Sequence, residues 1–231
     1  MIGVSGLSQY YGQSNILRKV DLSVPKGLCT CLMGRNGVGK TTLLKCLMGL
    51  LPIKKGQVFF RGQDITDRSA HWRARHGLGY VPQGRQIFPL LTVEENLLLP
   101  LSARRDKLGS VPESVYGLFP VLKEMRSRRG GDLSGGQQQQ LAIARAMVLE
   151  PEVLILDEPT EGIQPNIVAE IIDFVREMTE KKGLTVLQVE QKVPIARKVG
   201  QNFAIMERGR VVAKGAMASL DAETIKNYLT V

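Results

Sequence analysis

The run Gly34-Arg35-Asn36-Gly37-Val38-Gly39-Lys40-Thr41 sets glycines through a short loop and ends it on a lysine and a hydroxyl. Glycine lets the backbone wind tightly enough to aim several N–H groups inward, and the helix that follows adds the positive end of its dipole. Lys40 is long enough to reach the outer phosphates of a nucleoside triphosphate, and the Thr41 hydroxyl can ligate magnesium. Gly34, Asn36, Gly37, Gly39, Lys40, Thr41 and Thr42 are therefore candidate nucleotide-binding residues. Further along, "VLILDEP" carries Asp157 and Glu158 to the end of an apolar run. Asp157 is placed to hold the magnesium, and Glu158 to orient and deprotonate an attacking water. "LSGGQ" puts Ser134, Gly135 and Gly136 at the start of another helix, a second anion-ready N-terminus. Taken singly, these motifs also read as a glycine turn, a helix-capping pair and a capped helix. Together in one chain they argue for phosphate chemistry.

Such groups need elements to aim them. Short β-branched or apolar runs, "LCTCLM", "QVFF", "GLGYV", "EVLILDE", "LTVLQVE" and "NFAIMERGRVVAKG", alternate with helical patterns at 40–50, 135–149 and 166–181. That alternation predicts an α/β fold with buried parallel strands. The early segments "MIGVSGLSQYY" and "ILRKVDLSV", split by "GQSN", predict an antiparallel layer. Between about Ile87 and Glu150 strand signals vanish, and a helical lobe is expected there, inserted in a single domain.

Composition removes other classes. The chain has 231 residues, 43% of them apolar, enough for one sizeable core and too many for a disordered tail. It has no long uncharged apolar run, and neither a basic nor a cleavable N-terminus, so neither a membrane span nor export is expected. Cys29 and Cys31 fall two apart in a predicted strand, on one face, and cannot easily bridge; with Cys46 they are expected to be buried free thiols. No structural zinc is expected, since His71 and His76 lie far along the chain in a polar segment. The net charge of +9 comes from scattered clusters: Lys54 and Lys55; Arg68, Arg73 and Arg75; Arg104, Arg105 and Lys107; Lys123, Arg126, Arg128 and Arg129. Aromatics, 5% of residues, are not interleaved with them as stacking platforms, so nucleic acid is not an expected partner. A solvated basic face or proximity to anionic lipid headgroups is expected instead.

With its three motifs in this order, the sequence resembles the ATP-binding-cassette (ABC) ATPases over essentially its whole length. The resemblance implies a P-loop fold in one domain, 1–231, with a mixed and parallel central sheet, an antiparallel β layer and a helical subdomain at about 87–150. It implies ATP and Mg²⁺, and cassettes packed head to tail, so that Ser134, Gly135 and Gly136 face the γ-phosphate of an ATP on the partner's phosphate loop. Tyr11 in "YYG" matches the aromatic that stacks on adenine, with Tyr10 as the other candidate. Gln83 in "YVPQGRQIFP" matches the glutamine that senses magnesium and links to the membrane subunit. Gln191 in "LQVEQK" stands where many members have a histidine at the γ-phosphate; it either donates a hydrogen bond there or caps the strand end. Gln164 and Gln140 replace a frequent aspartate and a common arginine.

"VEQ", "EGIQP" and "VPQGRQIFPLLTVEENL" resemble importers of branched-chain amino acids and of urea. "GRNGVGKTTLLKCLMGLLP" and "LSGGQQQQLAIARAM" look most like the smaller ATPase subunit of the urea branch. The resemblance implies a second ABC ATPase subunit, in a heterodimer or homodimer, two integral-membrane permeases, and indirectly a periplasmic solute-binding protein. It places the chain peripherally on the cytoplasmic face of the inner membrane. The segment Gln83 to Asn96, with Ile87, Phe88 and Leu90, is expected to receive a permease helix. A soluble ABC ATPase acting on DNA or ribosomes would carry two cassettes or a long coiled coil, and the stretch from Lys40 to Leu133 is too short for the latter.

Overall fold

The computed structural model describes residues 1–104, 106 and 108–229; Arg105 and Lys107 of the basic clusters lie outside the described residues. In chain order the strands are β1 (Ile2–Tyr11), β2 (Ser14–Val24), β3 (Cys29–Met33), β4 (Lys55–Phe60), β5 (Gln63–Asp64), β6 (Leu78–Val81), β7 (Val153–Asp157), β8 (Thr185–Val189), β9 (Asn202–Glu207) and β10 (Arg210–Ala216). The helices are α1 (Lys40–Leu47), α2 (Ala70–Arg75), α3 (Val93–Leu98), α4 (Glu113–Leu118), α5 (Pro120–Glu124), α6 (Gly135–Met147), α7 (Pro165–Glu180), α8 (Val193–Val199) and α9 (Ala222–Tyr228).

β1 and β2 pair antiparallel across a two-residue turn, Tyr11 opposite Ser14, and extend into a four-stranded layer ordered β2-β1-β4-β5. The second sheet runs β10-β9-β3-β8-β7-β6, parallel except for the terminal β9–β10 hairpin. β3, β7 and β8 are buried at every residue, which is why their sequences read as continuous apolar runs instead of alternating ones. Their side chains still alternate. Cys29, Cys31, Met33, Leu154 and Leu156 join one core with α6, α7 and the helices between β6 and β7. Leu32, Val153 and Ile155 join the other, with α1 and the antiparallel layer. All three cysteines are buried free thiols.

Two features of this frame aim the loops. The parallel register sets Leu32, Val189 and Asp157 in one row across β3, β8 and β7, so the turns after them leave the sheet at the same level. Leu156 in turn pairs with Val81, which brings the turn after β6 to the same edge. In open α/β sheets that edge is where ligands bind.

The second feature corrects an expectation. Arg73 is not on a solvated basic face; it is 1% exposed. Its Nη1 donates to the carbonyls of Cys46 and Leu47 at the end of α1 (2.9 and 2.6 Å), its Nη2 to Ile65 and Thr66 (2.7 and 2.8 Å), and its Nε to Arg68 (2.9 Å). All five guanidinium N–H groups are thereby used, two of them on a helix end that has orphan carbonyls. Arg104 also departs from the expected face, turning inward to Asp106, Glu150 and the Val148 carbonyl. α1 opens on Lys40, so Arg73 anchors the far end of the helix that carries the phosphate loop. Arg73→Leu should cost roughly 3 kcal/mol or more, because it removes five hydrogen bonds and leaves the buried Leu47 carbonyl without its donor. Urea unfolding checks this, and a loss below about 1 kcal/mol would show that water or repacking replaces the guanidinium.

Candidate functional site

The loop after β3 folds as its glycines require. Gly34 and Gly39 adopt φ of 145° and 107°, and a side chain at Gly34 would run into the Met206 carbonyl. Asn36 and Gly37 are exposed at the loop tip, whereas Gly39, Lys40 and Thr42 are buried. No acidic residue occupies the first turn of α1, so its dipole is left for an external anion. Lys40 Nζ donates to the carbonyls of Gly34 and Arg35 at 2.8 and 2.9 Å, closing the loop on itself.

Across the cleft, Glu158 Oε1 lies 3.8 Å from Lys40 Nζ. Burial lowers the Lys40 pKa, against the opposing pull of Glu158 and Asp157. Asp157 is 1% exposed, and neither carboxylate oxygen accepts a hydrogen bond among the described residues. Burial pushes its pKa up; the adjacent Thr41 hydroxyl pulls it down, Glu158 raises it, and Lys40 and Lys45 lower it. An orphaned buried carboxylate beside a hydroxyl suits a hard divalent cation, which prefers oxygen ligands. Tyr80, which the sequence reading did not single out, lies close by in β6; burial, then Asp157, raises its pKa.

Gln83 reaches Glu158 and a further carboxylate, Glu161. Its Nε2 donates to Glu161 Oε2 at 3.0 Å and more loosely to Glu158 Oε2 at 3.4 Å. Glu158 itself adopts φ 52°, left-handed backbone that a non-glycine residue rarely takes. Gln191 is exposed at the end of β8, and its side chain makes no hydrogen bond among the described residues; the neighbouring Glu190 takes the turn's N–H groups instead. Glu190, 3% exposed, also accepts from Thr160. Sequence reading passed over Glu190, Thr160 and Glu161, although "VEQ" and "DEPTE" hold a carboxylate or hydroxyl at each.

The Ser134 segment stands apart, making its contacts elsewhere. Ser134 Oγ accepts from the Gln137 N–H at 3.3 Å and Gln137 Oε1 accepts from the Ser134 N–H at 3.0 Å, a capping box that opens α6. Ser134 is exposed, and the first turn holds no acid. A methyl at Gly136 would come within 2.7 Å of Ile167, and one at Gly135 within 3.0 Å of the Arg85 guanidinium, so both glycines admit close neighbours. Tyr11 is 48% exposed at the end of β1, while the Tyr10 hydroxyl is held by Asn15 at 3.3 Å. Gln140 donates to Glu170 at 2.6 Å.

A phosphate loop, a facing aspartate–glutamate pair and a Ser-Gly-Gly helix start with Ser134 exposed thus occur together around a six-stranded sheet. The sequence pattern of the ABC transporter family matches residues 17–161. The chain belongs to the ABC transporter family. This ABC ATPase is 36% identical over 221 residues to a high-affinity branched-chain amino acid transport ATP-binding protein, BraG of Pseudomonas aeruginosa, covering 95% of this chain and 94% of that one. It is likewise 36% identical to a probable branched-chain amino acid transport ATP-binding protein, LivF of Archaeoglobus fulgidus, with the same coverage. A bacterial ABC transporter cassette solved as a dimer shares the fold, with a TM-score of 0.83 and 25% identity over 95% of this chain and 100% of that one. The fold is the ABC ATPase P-loop fold, and ATP is the nucleotide of the family.

The orphaned carboxylate generates a prediction for this ABC cassette. A carboxyl whose folded pKa is raised weakens folding above that raised value and not below the ordinary one. In the nucleotide-free chain, Asp157→Asn should therefore be more stable than the parent near neutral pH, and the difference should shrink as pH falls through the raised value toward the ordinary aspartate range. Urea unfolding across pH is the check; equal stability at neutral pH would mean that Asp157 carries no burial penalty.

Proposed function

We propose that this chain is the ATP-hydrolysing subunit of an importer of branched-chain amino acids. The observation that carries the ATPase half is the convergence of Lys40, Asp157 and Glu158 in one cleft at the strand ends. In this reading the N–H groups of the loop around Gly34, Asn36, Gly37 and Gly39 cradle the phosphates, with Thr41 and Thr42 at the helix start. Lys40 neutralises the β- and γ-phosphates, Glu158 takes the proton of the attacking water, and Gln191 donates a hydrogen bond to the γ-phosphate. Mg²⁺, held by Thr41, Asp157 and Gln83, would neutralise phosphate charge. Tyr11, exposed where Tyr10 is engaged, stacks on adenine. The capped but open N-terminus of α6 serves the partner cassette's ATP through Ser134, Gly135 and Gly136.

The cargo assignment rests on the two branched-chain amino acid relatives; "VEQ" and "EGIQP" resemble the branched-chain amino acid and urea importers alike. Urea is the second reading, favoured by the sequence of the phosphate loop and by "LSGGQQQQLAIARAM"; neither named relative supports it. A second cassette and two permeases complete the assembly, with a periplasmic solute-binding protein acting through the permeases and the chain peripheral at the cytoplasmic face of the inner membrane. Among the described residues no helix is long and apolar enough to cross a membrane. The segment after Gln83 fits a permease contact. Leu90 is 80% exposed, and Phe88 is half exposed. The fully buried Asn96 holds their loop by accepting from the Phe88 N–H and donating to the carbonyls of Phe88, Leu91 and Thr92.

Cells lacking the chain should lose uptake of radiolabelled leucine and regain it with the parent, but not with Glu158→Gln. That variant should still bind ATP while its turnover falls on the order of a hundredfold or more. Intact leucine uptake with lost urea uptake would overturn the cargo in favour of urea, and parental turnover by Glu158→Gln would remove Glu158 from the chemistry.

A further inference from the structure

Glu190 is a buried carboxylate with three partners. Oε1 accepts from the Gln191 and Lys192 N–H groups, both at 2.9 Å, and Oε2 accepts from Thr160 Oγ1 at 2.7 Å. Its own N–H donates to the Leu32 carbonyl of β3 at 3.1 Å, just before the phosphate loop. A simple helix cap does not account for this. The side chain of a capping residue serves N–H groups inside the first turn, whereas Gln191 and Lys192 precede α8. Thr160, 3% exposed, belongs to the turn that begins at Glu158 and closes with the Glu161 N–H on the Glu158 carbonyl at 3.2 Å. Glu158 holds a left-handed φ in that turn, a conformation that persists only where the surroundings fix it.

We propose that Glu190 is a positioning residue for ATP hydrolysis, clamping the Glu158 turn and the Gln191 turn into one rigid unit. This rests on the reading that Glu158 and Gln191 act at the γ-phosphate. The paired ends of β7 and β8 bring the two turns side by side, and beyond the sheet the shared carboxylate ties one to the other. A carboxylate is suited to the task because it accepts on both oxygens, taking two N–H groups on one side and a hydroxyl on the other. Glutamine of the same shape can keep the clamp, its carbonyl facing the N–H groups and its amide facing Thr160, whose hydroxyl can turn to accept.

The test is steady-state ATP hydrolysis by the full chain carrying Glu190→Ala, Glu190→Gln, Thr160→Val and Gln191→Ala, with Glu158→Gln as reference. Glu190→Ala should lower kcat about tenfold or more with KM for ATP within about twofold, since misplaced groups lose turnover before binding. Glu190→Gln should restore most of it. Thr160→Val, which cuts only the bridge between the turns, should lower kcat several-fold with KM for ATP within about twofold. The Glu190→Ala, Gln191→Ala double variant should be no slower than the slower single one, because both remove the same geometry. Should Glu190→Ala fail to fold, Thr160→Val decides. Parental kcat in Thr160→Val, a change confined to KM, or losses that multiply in the double variant would each overturn the clamp. If Glu158→Gln is inactive while Thr160→Val is parental, only the positioning role falls; if Glu158→Gln turns over normally, the reading of the site itself falls.

Discussion

One ammonium and two carboxylates, largely removed from water at the ends of parallel strands, set the terms for the rest of the molecule. Lys40 has two carbonyl partners and one carboxylate within 4 Å, while among the described residues neither Asp157 oxygen accepts a well-formed hydrogen bond, the Thr41 hydroxyl lying beside it. A buried charge without a partner is costly, so the nucleotide-free cleft is electrostatically incomplete. In the proposed reading a divalent cation beside Asp157 and the phosphates beside Lys40 would supply the missing charges. The incompleteness is tolerable only because the surrounding frame is rigid: three strands buried on both faces, in a register that sets Leu32, Val189 and Asp157 in one row. Arg73 adds to that rigidity by fixing the far end of α1.

Strain is concentrated beside this cleft. Gly84, Arg85 and Gln86 take left-handed φ in succession (77°, 67° and 49°), directly after Gln83, and Glu158 does so opposite. Such backbone is held by contacts from other elements. Arg145 of α6 donates to the Gln86 carbonyl at 2.7 Å and lies over the Phe88 ring, and Arg85 reaches back toward Gln138 of α6. The exposed apolar tip at Phe88 to Leu90, the start of α6 and the carboxylates Glu158 and Glu161 are therefore joined through Gln83, Arg85 and Arg145.

The net charge of +9 invites a surface explanation, yet part of it is spent inside. Arg73 and Arg104 serve as multi-donor clamps on backbone carbonyls and acids, a use to which the planar guanidinium is better suited than lysine. Charge counting from composition treats such residues as solvated, and that is where it overestimates the basic face.

The order of elements and the local geometry of the loop after β3 and of the start of α6 were legible in the residues, because each rests on local rules. Glycine at positive φ, a helix start without acids, a strand that ends on Asp157, and period-two alternation in β1 and β2 all act within a few residues of their cause. What the residues alone left open depended on contacts between segments distant in sequence. Gln191 stood between a phosphate donor and a strand cap; Glu190, bonded by Thr160 from thirty residues away, takes the turn's N–H groups and leaves the glutamine side chain exposed. Tyr10 and Tyr11 were indistinguishable until Asn15 engaged one of them. Arg73 looked like any surface arginine, because no local pattern shows that five carbonyls from two segments, 46–47 and 65–68, converge there. Local patterns fix conformation through short-range sterics and hydrogen bonding, whereas burial and the partners of a charge are set by the packed whole.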